Sequence, residues 1–139
     1  MDKTSISAGE IIFDILSNDE KVMGKVTKIF PIVTDNANLP YVAYRCEDGS
    51  EQPQKGGMGA DTLVMNIACF SEEYLEGLRI AEAVRAALDG KQHAIEYTDE
   101  DTGESKSLTM RSCYYTGRRE QWIEDGNAFV QELLFNIKI

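Results

Sequence analysis

Residues 61–90, DTLVMNIACFSEEYLEGLRIAEAVRAALDG, decide the fold: one strand runs directly into one amphipathic helix. Leu63, Met65, Ile67 and Cys69 alternate along an extended segment, the period of two that a half-buried strand requires. Ser71 stands where an N-cap belongs, and Glu72 and Glu73 put negative charge in the first turn, where the helix dipole favours it. Leu75, Leu78, Ala81, Val84, Ala87 and Leu88 follow at helical spacing, and Gly90 fits the C′ position that closes a helix. The spacing predicts a helix over 72–89 whose Leu78, Ala81, Val84 and Leu88 pack on the strand.

Outward from this unit, Ile6–Ile11 has the form of a helix start. Ser7 and Glu10 are spaced as a capping box, Ile6 and Ile11 as a hydrophobic staple, and the helix is expected over 8–17. Val26–Phe30 is β-rich and ends at Pro31; Tyr41–Cys46 is a second strand with Pro40 at its mouth. Residues 47–60, EDGSEQPQKGGMGA, lack periodicity and read as a long mobile connection. Beyond Gly90, a short strand is expected at 93–97, a polar turn at 98–104 and a further strand at 107–116. Residues 117–126 read as a charged loop, and a last strand follows at 129–139, with Phe129, Leu133, Phe135, Ile137 and Ile139 on one face. The fold class expected is α+β: a single domain over 1–139, with a mainly antiparallel sheet of five to six strands and two helices packed on one face.

The chain has 139 residues, 42% hydrophobic and 27% charged, which suits one soluble globular domain. The first ten residues, MDKTSISAGE, lack the pattern of a secretory signal, so folding in a cytosol is the expectation. No run approaches the roughly 20 apolar residues of a membrane span, and no membrane association is expected. Twenty-four acidic against 14 basic residues give a net charge of −10. Such a surface repels phosphates, so sequence-specific nucleic-acid binding is not expected.

Candidate chemistry does not assemble. Cys46, Cys69 and Cys113 with the single His93 make a poor zinc set, and all three cysteines are expected to be buried thiols. An EF-hand counted from Asp99 would want Gly at its sixth position and Glu at its twelfth, where Glu104 and Met110 stand. Lys55-Gly56-Gly57-Met58 is no Walker loop, because Lys precedes the glycines and a strand follows. No nucleophile elbow accompanies His93. No enzyme activity, metal or cofactor is therefore expected. Arg118, Arg119 and Trp122, the only tryptophan, have the composition of an interface anchor. Together with Lys55, Gly56, Gly57 and Met58, they are the expected partner contacts.

Three blocks resemble one family: VTKIFPIV at 26–33, LPYVAY at 39–44, and IACF at 67–70 running through the helix to AALDG at 86–90. With the acidic turn at 101–103, the chain is similar to tail-terminator or tail-completion proteins of long-tailed phages, also described as tail-to-head joining proteins. The resemblance implies a phage or prophage structural protein that caps the tail tube as an oligomeric ring, a hexamer when assembled. It would meet the tail-tube protein on one side and a head-completion or connector protein on the other, in the virion tail or neck. Two other classes fit the composition: a metal-dependent enzyme using the acidic turn, and a free-standing binding or regulatory module. Metal-dependent thermal stabilisation would mark the first. Neighbouring genes would separate the second from a tail protein.

Overall fold

The computed structural model describes residues 2–32, 38–51 and 61–139. A 3-10 turn at Ser5–Ser7 leads into α1 (Ala8–Ser17) and the short α2 (Glu20–Met23). Then come β1 (Lys28–Pro31), β2 (Tyr41–Glu51), β3 (Asp61–Ser71), α3 (Tyr74–Leu88), β4 (His93–Thr98), β5 (Ser105–Met110), β6 (Ser112–Ile123) and β7 (Ala128–Lys138). Five strands form one sheet in the order β1-β2-β3-β7-β6, while β4 and β5 form a separate hairpin. Every pairing is antiparallel except β1 with β2. This is the expected α+β class, with two of the seven strands, β4 and β5, in a sheet of their own.

The main core lies between the helices and one face of the sheet. Leu63, Met65, Ile67 and Cys69 of β3 and Leu133, Phe135 and Ile137 of β7 meet Ile11, Ile12 and Leu16 of α1 and Ile80, Val84 and Leu88 of α3. The hairpin closes this core with Leu108 and Met110. Each such side chain, fully withdrawn from water, contributes about 1.5–3 kcal/mol of transfer free energy.

Helix α3 is rotated from the face its leucines suggest. Gly77, Ile80, Ala81, Val84, Ala87 and Leu88 are its buried stripe, whereas Leu78 is half-buried and Leu75 is 62% exposed. Gly77 explains the rotation. A Cβ there would come within 2.7 Å of Ser71 Oγ, so the missing side chain lets the helix's first turns approach the sheet on that side. Ser71 is correspondingly the last residue of β3 rather than the cap. Its buried hydroxyl donates to the Glu73 carbonyl, and Glu73 is the N-cap residue, without a side-chain cap bond. At the other end Gly90 has φ +76°, the left-handed conformation expected of a C′ residue.

The start of α1 also departs from its expected capping. Ser7 makes no side-chain cap bond, Glu10 pairs with Lys3 instead, and Ile6 is 94% exposed, so no staple forms with Ile11. The N-terminal segment is held by longer-range bonds: the Lys3 amide donates to the Tyr97 hydroxyl, Ser5 to Asp61, and Lys106 of the hairpin pairs with Asp2. In the hairpin turn, buried Asp99 accepts from the Asp101 amide and from Lys106 Nζ at 2.7 Å. That pairing, with the Lys106 bond foremost, holds the Asp99 carboxyl well below its usual range.

Strand β2 continues through Glu51, so residues 47–51 of the expected loop are strand; residues 52–60 lie outside the described residues. Cysteines 69 and 113 are buried, and burial pushes each thiol up to about 12, but Cys46 is exposed. The difference follows from β2 running past the end of β1, which pairs only with Tyr41–Tyr44.

Candidate functional site

The stretch 117–126 is mostly strand, not loop: β6 runs to Ile123 and pairs with β7 as far as Ala128. The alternation of apolar residues breaks near Gly117, which hides the strand from a period-two reading. The structure shows why. A register shift between Tyr115 and Gly117 changes which residues face the helices. Before it, Cys113 and Tyr115 face inward opposite Ile137 and Phe135; after it, Arg118, Glu120 and Trp122 stand opposite Leu133, Gln131 and Phe129. Arg119 and Gln121 consequently fall on the other face, opposite Glu132 and Val130.

Of the expected contact residues, Arg118 and Trp122 thus share a face and Arg119 does not. Lys55, Gly56, Gly57 and Met58 lie outside the described residues. Trp122 is 46% exposed, its ring 4.7 Å from that of Phe129, which meets Tyr74 of α3 at 5.7 Å. Tyr74 and Leu75 are themselves exposed, so an apolar patch spans the start of α3 and the end of β6. Sequence reading missed Tyr74 and Leu75 because their spacing placed Leu75 on the buried stripe.

A polar cluster underlies this patch. The Tyr74 hydroxyl donates to Glu120 at 2.6 Å, and buried Gln131 donates to the same carboxylate oxygen at 2.7 Å. The Tyr74 bond leads in holding the Glu120 carboxyl below its ordinary range, and the same bond raises the Tyr74 phenol. Arg118 lies 3.8 Å from Glu120. Gln131 Oε1 has no hydrogen-bond partner among the described residues.

The far face of the sheet is different in kind. Tyr41 stacks on Phe70 with centroids 4.5 Å apart, and Phe30 meets Tyr41 edge-on. Ala43, Ala68, Ala128 and Val130 complete this second apolar cluster, which contains no helix residue. Beside it runs a ladder of charge. Glu47 accepts from Asn66 at 2.7 Å and pairs with Arg45 at 3.3 Å and Arg119 at 3.1 Å, and Arg119 also pairs with Glu132 at 3.1 Å. The Asn66 bond, followed by the two arginines, lowers the Glu47 carboxyl. A shallow cavity of about 340 Å³ lies here, lined by Ala43, Arg45, Asn66, Phe70 and Glu132 among others. It holds no nucleophile–base pair. Among the described residues, no three His, Cys, Asp or Glu side chains gather closely enough to hold a metal ion. Nor is any helix among them long and apolar enough to cross a membrane.

What the chain presents is therefore contact surface: an exposed edge strand, an aromatic patch and a charged sheet face. Residues 10–104 match the family model of tail completion protein gp17, and the chain belongs to that family. The family is a structural one of phage tails, not a family of enzymes. The match ends before β5, so Arg118, Arg119 and Trp122 lie beyond it. One chain of a solved structure, titled "Virion of native gene transfer agent (GTA) particle", superposes with a TM-score of 0.74. The superposition covers 97% of this chain and 98% of that one at 16% identity, which establishes a shared fold across the whole domain. Among curated proteins, none matches in sequence.

Proposed function

We propose that this protein completes a phage or prophage tail: it assembles as a ring, a hexamer when complete, on the head-proximal end of the tail tube. There it stops tube growth and offers the surface that the head-completion or connector protein meets. Membership of the tail completion family is the observation that carries this reading. The surface chemistry agrees with it. Trp122 is a large aromatic held half-exposed on an edge strand, the character of an interface anchor, and Arg118, further along the same face beyond Glu120, and Arg119 on the other face supply directional charge. Lys55, Gly56, Gly57 and Met58 are proposed as further contacts with the tube or the head.

The net charge of −10 serves two ends in this reading. Identical subunits repel in solution, so free copies stay monomeric or weakly associated until a tube end supplies compensating contacts. Acidic side chains lining the ring's channel let DNA pass without being gripped. The test is direct. Tagged protein added to isolated tail tubes should be seen by electron microscopy at one end of each tube only. Decoration along the walls, or none, would sink the proposal.

A further inference from the structure

The main sheet ends at β6, and the hydrogen-bond pattern shows which backbone groups that edge presents. The Ile139 amide donates to the Asp61 carbonyl at 3.0 Å, which makes these two a bonded pair at the end of the β3–β7 ladder. Bonded and non-bonded pairs alternate in an antiparallel ladder, and β3 and β7 keep register throughout. Phe129, Gln131 and Leu133 therefore turn their backbone groups toward β3. Their opposites on β6, Trp122, Glu120 and Arg118, accordingly turn N–H and C=O away from the sheet. The first half of β6 obeys the same rule and is covered by the end of α3. The Cys113 carbonyl accepts from the Gly90 amide at 2.7 Å, and the Tyr115 amide donates to Asp89 Oδ1 at 3.0 Å. The second half has no such cover. Among the described residues, no hydrogen bond reaches the outward N–H and C=O groups of exposed Arg118, Glu120 and Trp122.

A row of unpaired backbone groups is a template for another strand, and proteins guard such edges. The opposite edge of this sheet is guarded: β1 has only four residues and ends at Pro31, which has no N–H. Residues 118–122 contain neither a proline nor a register shift, and the charges of Arg118 and Glu120, 3.8 Å apart, offset each other. The two sides of this edge differ in kind. On the helix side stand Trp122 and Tyr74, whose hydroxyl reaches Glu120; on the far side stand exposed Arg119 and Gln121. A strand added about 4.8 Å outside β6 lays alternate side chains on these two sides, apolar ones fitting Trp122 and Tyr74, polar ones fitting Arg119 and Gln121.

We propose that the open stretch Arg118–Trp122 takes up an extended segment of the tail-tube protein as a further strand of the sheet. The segment is about five residues long and apolar at alternate positions. This rests on the capping reading above and names the mode of contact; the tube is the partner that a capping protein meets first. Backbone bonds to Arg118, Glu120 and Trp122 hold the segment, and the aromatic side selects it. A second copy of this chain is a poor occupant. The other edge of its sheet is blunted at Pro31, and two molecules of net charge −10 repel.

The experiment follows amide hydrogen exchange residue by residue on the full chain, free and seated on isolated tail tubes. In the free protein the Arg118, Glu120 and Trp122 amides should exchange fast at every protein concentration, while those of Arg119 and Gln121, bonded to β7, exchange slowly. On seating, the three fast amides should slow by at least about tenfold. Arg118→Pro removes one outward N–H and leaves the β7 ladder whole, so it should seat about tenfold more weakly than Arg118→Ala, which keeps that N–H. If Arg118→Pro melts below Arg118→Ala, exchange on the wild type decides alone. Amides that stay fast in the seated protein overturn the proposal and leave the capping reading standing, as does a well-folded Arg118→Pro that seats as tightly as Arg118→Ala. Amides that slow as the free protein is concentrated give the edge to a second copy and overturn it too. If wild type does not seat on tube ends, the capping reading fails and this proposal with it.

Discussion

Ile80 and Leu75 lie on the same helix, five residues apart, and the structure assigns them opposite fates. Ile80 is fully buried against the sheet, and Leu75 is 62% exposed. Ile80→Ala removes apolar groups from a packed core and leaves a cavity, so it should cost about 2–5 kcal/mol. Leu75→Ala loses a side chain that is mostly hydrated already and should change stability by less than about 0.5 kcal/mol. Against a total of about 5–15 kcal/mol for a domain of this kind, the first variant stays folded with a visibly lower midpoint. For a chain of this length about 3 kcal/mol corresponds to roughly 10 °C in Tm. Urea unfolding followed by circular dichroism measures both, with equal slopes confirming that only stability has changed. If Leu75→Ala cost as much as Ile80→Ala, the rotation of α3 described here would be wrong.

Other outcomes follow from the same structure. Val84→Asp buries an unpaired charge and should cost several kcal/mol, about 3 or more, while Leu78→Asp at the half-buried margin should cost clearly less, as paired melts would show. The Asp99–Lys106 pair depresses the acid and raises the base, so its stabilisation is present from about pH 4 to about pH 10. Below that window it fades as Asp99 protonates through its lowered folded value; above it, as Lys106 deprotonates through its raised one. Asp99→Asn should therefore flatten the acid limb of the stability profile; an unchanged limb would contradict the pairing. With a thiol reagent, the native protein should modify one cysteine, Cys46, quickly. Cys69 and Cys113 should react only on unfolding, and three equally fast thiols would refute their burial.

The strand-to-helix unit at 61–90 was legible because both periods and the closing glycine coincide there. The helix at 8–17 and the strands at 41, 93 and 129 were legible for similar reasons. What misled was local. Leucine at 75 and 78 suggested a stripe that Gly77 shifts, because a missing Cβ carries no hydrophobic signal yet decides how closely the helix approaches. The register shift at Tyr115–Gly117 breaks the alternation that would mark β6 as one strand, so the spacing around Arg118, Arg119 and Trp122 resembles that of a loop. That reading still found Trp122 by composition. It could not foresee that Arg119 would face away, nor that Tyr74 and Leu75 would join Trp122, since neither fact is written in spacing. Ser7 and Ser71 looked like caps; Ser71's hydroxyl instead binds the Glu73 carbonyl under Gly77, a contact that only the tertiary packing creates.

In the role proposed above this chain ends tail growth, and tail length is the quantity that answers it. Electron microscopy of lysates from the parent phage or prophage carrying a deletion of this gene should show tubes of uneven, excessive length, separate from filled heads. Wild type supplied in trans should restore uniform joined tails, and Trp122→Ala, folded by its melt, should restore them poorly. Uniform tails joined to heads in the deletion strain would contradict the account for the protein, and full rescue by Trp122→Ala would contradict it for that residue.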